Sequence, residues 1–322
     1  MSFIGRLFWN PDERRIRALW RLLVHLVAMA LIGVLASLML LPTMSKLAGE
    51  GGLPSLFGAG ITALVIGLAS WLCARVIDKR RFDDLGFHLD GRWWLDVGAG
   101  AGLGVILMGG IFLVELAAGW ITIEDTCVGA PEGQPFVMAL ALALMLFVFV
   151  GFYEELLSRG YHLRNLAEGL HGGPVKPQAA LVLATMLSAT MFGLMHASNP
   201  GASALSTINV ALAGCLLAIG PILTGELGFA IGLHLSWNFC QGNLFGFPVS
   251  GTDAGPRVFA VIQGGNPLIT GGEFGPEAGL IGVAAMILGG GLTVLWVRLT
   301  RGEVHLKRTL VEPGDPPGPL GL

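Results

Sequence analysis

The sequence predicts an all-α fold, a polytopic membrane helix bundle with about eight transmembrane helices. Two observations predict it. Hydrophobic residues make up 53% of the 322 residues and charged residues only 13%, about half of the charged fraction that is typical of soluble domains. The mean hydropathy is +0.71, and the apolar residues fall in repeated stretches of roughly 20, the length that crosses a bilayer.

These stretches set the predicted order of elements. We place the spans near residues 18–41, 56–77, 97–122, 136–158, 179–198, 204–223, 227–247 and 279–298. The chain then divides into N-terminal transmembrane helices (1–134), a helical core (135–247), an external loop (248–278) and a last transmembrane helix with a tail (279–322). The glycine-rich stretches 98–104 and 289–291 indicate close helix packing, because small residues let membrane helices approach each other.

Charge predicts the partners and the orientation. The net charge of -3 argues against a nucleic-acid partner, so the lipid bilayer is the expected surrounding. If the spans alternate, four basic segments share one side, and acidic residues with the loop 248–278 share the other; the basic segments are Arg14–Arg21, Arg75–Arg81, Arg159–Arg164 and Arg298–Arg308. By the positive-inside rule both termini are expected to be cytoplasmic in a multi-pass protein of the plasma or inner membrane.

Ionisable residues inside the apolar spans are the candidate functional residues. A charged side chain there is costly unless it is paired or lines a wet cavity, so it marks a functional site by default. The candidates are Glu154 and Glu155 with Arg159, then His196, then His234 with Asn238. Two acids, two imidazoles and an amide are suited to activating a water molecule.

Spacing predicts which residues meet. Glu154 and His196 are equidistant from position 175, so antiparallel helices joined there bring them to similar depth. Glu155 and Arg159 are four residues apart with the acid first, the favourable order for a helical ion pair. Glu154 is then left as the general base.

Two further pairs share helix faces at a spacing of four. Phe192 lies on the face of His196, where its ring can orient the imidazole. His234 and Asn238 likewise share a face and can point donors at one developing oxyanion. Because the turn near Pro174 is predicted to be cytoplasmic, we expect the site to open toward that side, with Arg159, His162 and Arg164 at the entrance attracting a substrate carboxylate.

These motifs resemble those of a known family. Glu154-Glu155-Leu-Leu-Ser-Arg159, Phe192-Gly-Leu-Met-His196 and His234-Leu-Ser-Trp-Asn238 are similar, in order, to the EExxxR, FxxxH and HxxxN/B motifs of the CPBP family. That family comprises type II CAAX prenyl endopeptidases and related bacteriocin-processing or self-immunity membrane proteins. Here Ser158 stands where an aromatic residue often precedes the arginine. The resemblance covers residues 135–247, the helical core.

The resemblance implies an intramembrane endopeptidase that acts on a membrane-associated protein or peptide, with prenylated, CAAX-like substrates among the candidates. Glu154 and His196 would activate the attacking water, and His234 and Asn238 would polarise the scissile carbonyl. Glu155, Arg159 and Phe192 would support them.

The sequence does not decide whether the site binds a metal ion. Glu154, His196 and His234 supply the number and types of ligand that a catalytic zinc takes, but the compact HExxH helix is absent. A metal-free glutamate mechanism is equally compatible with these residues.

Two other classes of function are kept as alternatives. A secondary transporter also places acids and histidines inside helices, although no internal repeat is visible. A non-catalytic membrane scaffold or immunity protein of the same fold would use the site for binding only.

Overall fold

A computed structural model of the chain describes residues 7–11, 13–47, 53–172 and 174–312. It is mostly helical, so the predicted all-α membrane bundle is confirmed. The helices, in chain order, are α1 Ala18–Leu47, α2 Leu53–Leu72, α3 Gly91–Ala117, α4 Phe136–Glu155, α5 Leu163–Leu170, α6 Pro177–Met195, α7 Ala204–Thr224, α8 Gly228–Phe239, the short α9 Pro267–Thr270 and α10 Leu280–Arg301. The predicted tail beyond residue 312 lies outside the described residues.

Three π-helical segments continue helices without a break. They are Cys73–Ile77 after α2, Leu156–His162 between α4 and α5, and Cys240–Leu244 after α8. The middle one makes α4 and α5 a single rod, so the helix predicted to end near residue 158 continues to Leu170. π-Segments are rare and often accompany functional sites, and this one contains Arg159.

Seven helical stretches among the described residues are long and apolar enough to cross a membrane, namely Ala18–Leu40, Leu53–Ile77, Gly91–Ala117, Phe136–Leu170, Pro177–Met195, Ala204–Thr224 and Leu280–Arg301. The eighth predicted span, 227–247, is a shorter helix. It consists of the 12 residues of α8 and the 5 of the following π-segment, below the roughly 20 residues that cross a bilayer. Because α8 is largely buried between other helices, protein replaces lipid around it.

Glycine sets the close contact between α3 and α8. A Cβ on Gly100 would lie 2.1 Å from the Phe229 carbonyl oxygen, and one on Gly104 would lie 2.1 Å from Ser236 Oγ. By contrast, Gly98 and Gly102 have nothing within 4 Å of such an atom. The prediction of close packing is therefore confirmed for one face of α3, with the two critical glycines one turn apart.

α3 begins six residues before its predicted start. The Asp90 carboxylate accepts a hydrogen bond from the Trp93 backbone N–H at 2.7 Å and caps the helix at Gly91. Such a cap satisfies one of the free N–H groups at a helix start. Gly228 in α8 packs on Trp93, so α3 and α8 start at the same end of the bundle and run in parallel.

A two-stranded antiparallel sheet was not predicted. Strand β3, Ile121–Val128, pairs with β4, Arg257–Gln263, with Ile121 opposite Gln263 and Val128 opposite Arg257. A short N-terminal pair precedes them in the chain, β1 Trp9–Asn10 with β2 Arg15–Ile16. The β3–β4 sheet joins the chain after α3 to the predicted external loop, and it defines what we call the loop end of the bundle.

The predicted basic segments do share the opposite end, which we call the basic end. Glu168 accepts hydrogen bonds there from Arg15 at 2.9 Å, from Arg21 at 2.8 Å and from Arg80. Arg301 reaches across from α10 to Asp96 on α3 at 2.6 Å. Several of these arginines are buried in ion pairs, so they stabilise helix contacts as well as carrying the charge asymmetry.

Candidate active site

The end of α4 carries the first motif. Glu155 is fully buried, and its Oε1 accepts a hydrogen bond from Arg159 Nη1 at 2.8 Å, the predicted pair at a spacing of four. Arg159 Nη2 donates to the Gly214 carbonyl at 3.0 Å, and its guanidinium lies over the Phe192 ring at 4.4 Å. These contacts tie α4 to α7 and α6, and they keep the buried arginine fully engaged.

Glu155 has a second partner that the sequence did not reveal. Its Oε1 lies 2.7 Å from His234 Nδ1. A carboxylate paired with arginine accepts hydrogen bonds, so Nδ1 carries the proton and donates. The other ring nitrogen, Nε2, is then free toward Glu154, whose Oε2 lies 3.8 Å away. The interpretation of Glu155 as a partner of Arg159 alone is therefore incomplete, because it also orients a candidate catalytic histidine.

Glu154 is held differently. Its side chain is 18% exposed, while its Oε2 atom is buried and accepts no hydrogen bond from the described residues. One residue along the helix, Glu155 accepts from Arg159 and His234 through Oε1, while its Oε2 is likewise buried and accepts no hydrogen bond from the described residues. The two neighbouring acids thus have distinct environments: Glu155 is held in a network through one oxygen, and Glu154 is not hydrogen-bonded at its buried Oε2.

His196 lies just after the end of α6. The predicted span 179–198 had placed it within the helix. α6 ends at Met195, and the His196 backbone N–H closes the helix on Gly193 O at 3.1 Å. The ring folds back so that Nδ1 lies 2.8 Å from the Phe192 carbonyl oxygen. A carbonyl can only accept, so Nδ1 donates, and in the neutral ring Nε2 then keeps its lone pair. The Phe192 ring packs on that of His196 with centroids 4.8 Å apart, as predicted.

The third motif completes the group. His234 and Asn238 lie one turn apart on α8, and both line the same cavity as Glu154 and His196. The cavity has a volume of about 620 Å³. α4, α6 and α8 thus bring all four predicted catalytic side chains to one internal space, lined largely by apolar side chains of the surrounding helices.

The cavity extends toward the loop end, and the predicted opening toward the basic end is wrong. Its walls include the segments 129–134 and 249–256, which flank the β3–β4 sheet. Arg159, His162 and Arg164 are buried, at 3%, 9% and 8% exposure, and do not line it. The π-segment and α5 continue the bundle beyond Glu154 and close that side.

Loop 248–278 supplies a wall of the cavity. Glu277 accepts hydrogen bonds from the Ser250 backbone N–H at 2.6 Å and from Gln241 Nε2. Asn199, three residues after His196, donates to the Ser250 carbonyl at 2.9 Å. Burial raises the pKa of Glu277 to about 7, and its hydrogen-bond donors oppose that rise. The loop is thereby fastened to both helices that carry the histidines.

Sequence reasoning missed Tyr153, Asn199, Trp237 and Glu277, which also line the cavity. Tyr153 and Trp237 are neighbours of motif residues, so the motif spacing itself was a signal for them. The position of Glu277 depends on how a long loop folds back, and no local pattern in the sequence reports that.

The ring nitrogens left free by these bonds are chemically suited to a metal. A histidine whose Nδ1 donates to a carboxylate is a common metal-ligand arrangement. Among the described residues, however, no three His, Cys, Asp or Glu side chains lie close enough together to hold an ion. The zinc site of Glu154, His196 and His234 stays a prediction, and the chemistry below does not depend on it.

Comparisons with known proteins agree with the motifs. The family model "Type II CAAX prenyl endopeptidase Rce1-like" matches residues 136–240, about a third of the chain. The matched segment contains all four predicted catalytic residues, and it confirms the resemblance to the CPBP family over the helical core. No curated protein and no solved structure matches the chain. The described residues include seven apolar helices long enough to cross a membrane, so this is an integral membrane protein, and its core is similar to CAAX-type intramembrane proteases.

Proposed function

We propose that the protein is an intramembrane endopeptidase that hydrolyses a peptide bond in a membrane-associated protein or peptide. The observation that carries the proposal is the convergence of Glu154, His196, His234 and Asn238 on one cavity. Prenylated, CAAX-type substrates are the class that the matched family model suggests.

Glu154 is the general base in this proposal. Its free Oε2 accepts a proton from a water molecule as the water oxygen attacks the scissile carbonyl carbon. His196 offers a lone pair on Nε2, because its Nδ1 donates to Phe192 O, and so it can orient the second hydrogen of that water. Glu154 then returns the proton to the leaving nitrogen as the C–N bond breaks.

His234 and Asn238 hold the carbonyl oxygen. Glu155 fixes the orientation of the His234 ring through Nδ1. When the ring carries both protons, its Nε2–H donates to the carbonyl oxygen, and the Asn238 amide donates beside it. Donors that are already aimed at a developing oxyanion commonly contribute 10²–10³ or more in rate each. The hydrogen bonds among Arg159, Glu155 and His234 hold the His234 ring in this orientation.

The experiment is cleavage of a membrane-peptide library by purified protein in liposomes, with and without prenyl groups, followed by mass spectrometry. We expect defined cleavage products from wild type and none above background from Glu154→Gln. Glu303→Gln, on the exposed basic end, is the matched control and should cleave as wild type does. Binding of peptides without Glu154-dependent products would favour the scaffold or transporter alternative and overturn the proposal.

A further inference from the structure

Strand β3 is an edge strand in the part of the chain that the structure describes. β4 pairs with it along one side, from Ile121 to Val128. Among the described residues, β3 makes no backbone–backbone hydrogen bond outside this pair, and its Thr126 N–H donates to the neighbouring Asp125 carboxylate at 2.7 Å. In an antiparallel pair, alternate residues point their N–H and C=O groups away from the partner strand. The outer edge of β3 therefore offers donors and acceptors to a further chain.

This edge is open to solvent, whereas β4 is covered by the protein itself. All six residues of the segment 122–127 are exposed. In β4, by contrast, Phe259 and Val261 pack against the hydrophobic core. A Cβ on Gly246 would lie 2.1 Å from the Phe259 carbonyl oxygen, so another segment of the chain already lies against that strand. An incoming chain can therefore reach the edge of β3.

One end of the sheet borders the cavity that holds the candidate active site. The segment 129–134, which directly follows β3, supplies lining residues, and so does 249–256, which directly precedes β4. The two segments meet there, because a Cβ on Gly129 would lie 2.9 Å from the Gly255 carbonyl oxygen. A chain that lies along β3 is thus directed toward the space that Glu154 lines.

The side chains at this edge indicate the charge of a chain that binds there. Glu124 and Asp125 of β3 are exposed, and so is Glu132 just after it. The stretch 118–134 contains no lysine or arginine. Charges of one sign around a binding surface favour partners of the other sign and speed their encounter. Basic residues in the bound segment are therefore favoured.

We propose that β3 is a docking edge for the substrate, on which an extended segment pairs as a third strand and leads the cleaved bond into the cavity. The proposal rests on the proposed function. A CAAX-type substrate, the class that the family model suggests, ends shortly after the cleaved bond. The segment long enough to form a strand is then the one before the bond. It runs toward the cavity in the same direction as β3, so the pairing is parallel. Strand addition of this kind gains affinity from main-chain hydrogen bonds.

Disulfide crosslinking to a native cysteine tests the docking. Cys127 lies in β3 and is exposed, whereas Cys73 and Cys240 are buried. Prenylated CAAX-type peptides carry one added cysteine at each of roughly ten positions before the bond, the length of a long strand. They are treated with a mild oxidant beside the Glu154→Gln protein in liposomes, and the products are identified by mass spectrometry.

We expect crosslinks to Cys127 from one short group of positions, strongest at alternate residues, because the side chains of a strand alternate between two faces. The Cys127→Ser control should lose them. Uniform or absent crosslinking, with peptides that wild type does cleave, would overturn the docking and leave the proposed hydrolysis intact. Alternating crosslinks with no cleavage by wild type would support the docking and count against the proposed function. Neither crosslinks nor cleavage would count against both.

Reversing a charge at the edge gives an independent test. Glu124→Lys is compared with Glu273→Lys, a control at another exposed position of the loop end. With a peptide that carries lysine in the segment before the bond, Glu124→Lys should raise KM about two- to fivefold, the range of an exposed ion pair. A glutamate in place of that lysine should restore KM in this variant. Glu273→Lys should behave as wild type does with both peptides. The same KM for both peptides in wild type and in Glu124→Lys would contradict the inference.

Discussion

His234 Nδ1 donates to Glu155 Oε1 at 2.7 Å, the same oxygen that accepts from Arg159. One buried carboxylate thus links the arginine of the first motif to the histidine of the third. The pairing distinguishes the two adjacent acids: Glu155 orients a histidine and balances an arginine, and Glu154 is the acid that the proposed function assigns to the substrate.

Glu155→Gln should destabilise the fold and disturb His234 together. The amide cannot balance Arg159, and removing one partner of a buried ion pair typically costs about 3–5 kcal/mol. We expect a lower yield of folded protein and a lower melting temperature in detergent, measured by intrinsic fluorescence. The folded fraction should also have a lower kcat, because an amide that competes with Arg159 holds the His234 ring less firmly than the carboxylate does. An unchanged kcat in the folded fraction would mean that Glu155 acts on the fold alone.

Replacing Gly100 by alanine should separate α8 from α3. The added Cβ would meet the Phe229 carbonyl at 2.1 Å, and backbone can move away only if the helices shift. The matched control is Gly98→Ala, which meets nothing within 4 Å and should be neutral or stabilising by up to about 1 kcal/mol, because alanine favours helix. Thermal unfolding of both variants, with activity, checks this. Equal stability of the two variants would contradict the close contact.

Stability should fall as pH rises through the window set by Glu277. Its pKa is raised from 4.5 to about 7 by burial, so the folded state binds more protons than the unfolded state between these values. The stabilisation is present below about pH 4.5 and is lost progressively up to pH 7, a change of up to about 3 kcal/mol. Melting temperatures at pH 5 and pH 8 measure it.

Glu277→Gln is the variant that isolates this group. Its melting temperature should change less between pH 5 and pH 8 than that of wild type, whatever its absolute stability. The same pH dependence in both proteins would show that other groups dominate this window.

A native cysteine reports the topology. Cys127 in β3 is exposed, whereas Cys73 and Cys240 are buried. In intact cells an impermeant thiol reagent should label Cys127 from outside. In a Cys127→Ser background, His305→Cys at the exposed basic end should label only after the membrane is opened. Labelling of both positions from one side would contradict the predicted orientation.

The sequence predicted what is local and missed what depends on distant pairing. The lengths of the apolar stretches predicted most of the membrane spans. The spacing of four residues predicted the Glu155–Arg159 and Phe192–His196 contacts. The pairing of β3 with β4 joins segments more than a hundred residues apart, which no local pattern reports. The sequence did not reveal the π-segment, because a π-segment changes backbone hydrogen bonding without changing hydrophobicity. With α5 it closes the side of the bundle on which the cavity was predicted to open.

Steady-state kinetics of Glu154→Gln test the central claim most directly. With a verified substrate in liposomes, kcat and KM are compared for wild type, Glu154→Gln and the control Glu303→Gln, at equal amounts of folded protein. We predict that Glu154→Gln lowers kcat on the order of 10²–10⁴-fold, the loss typical for a positioned general base, while KM changes little because the amide keeps the size of the side chain. A Glu154→Gln variant with kcat near that of wild type would contradict the account.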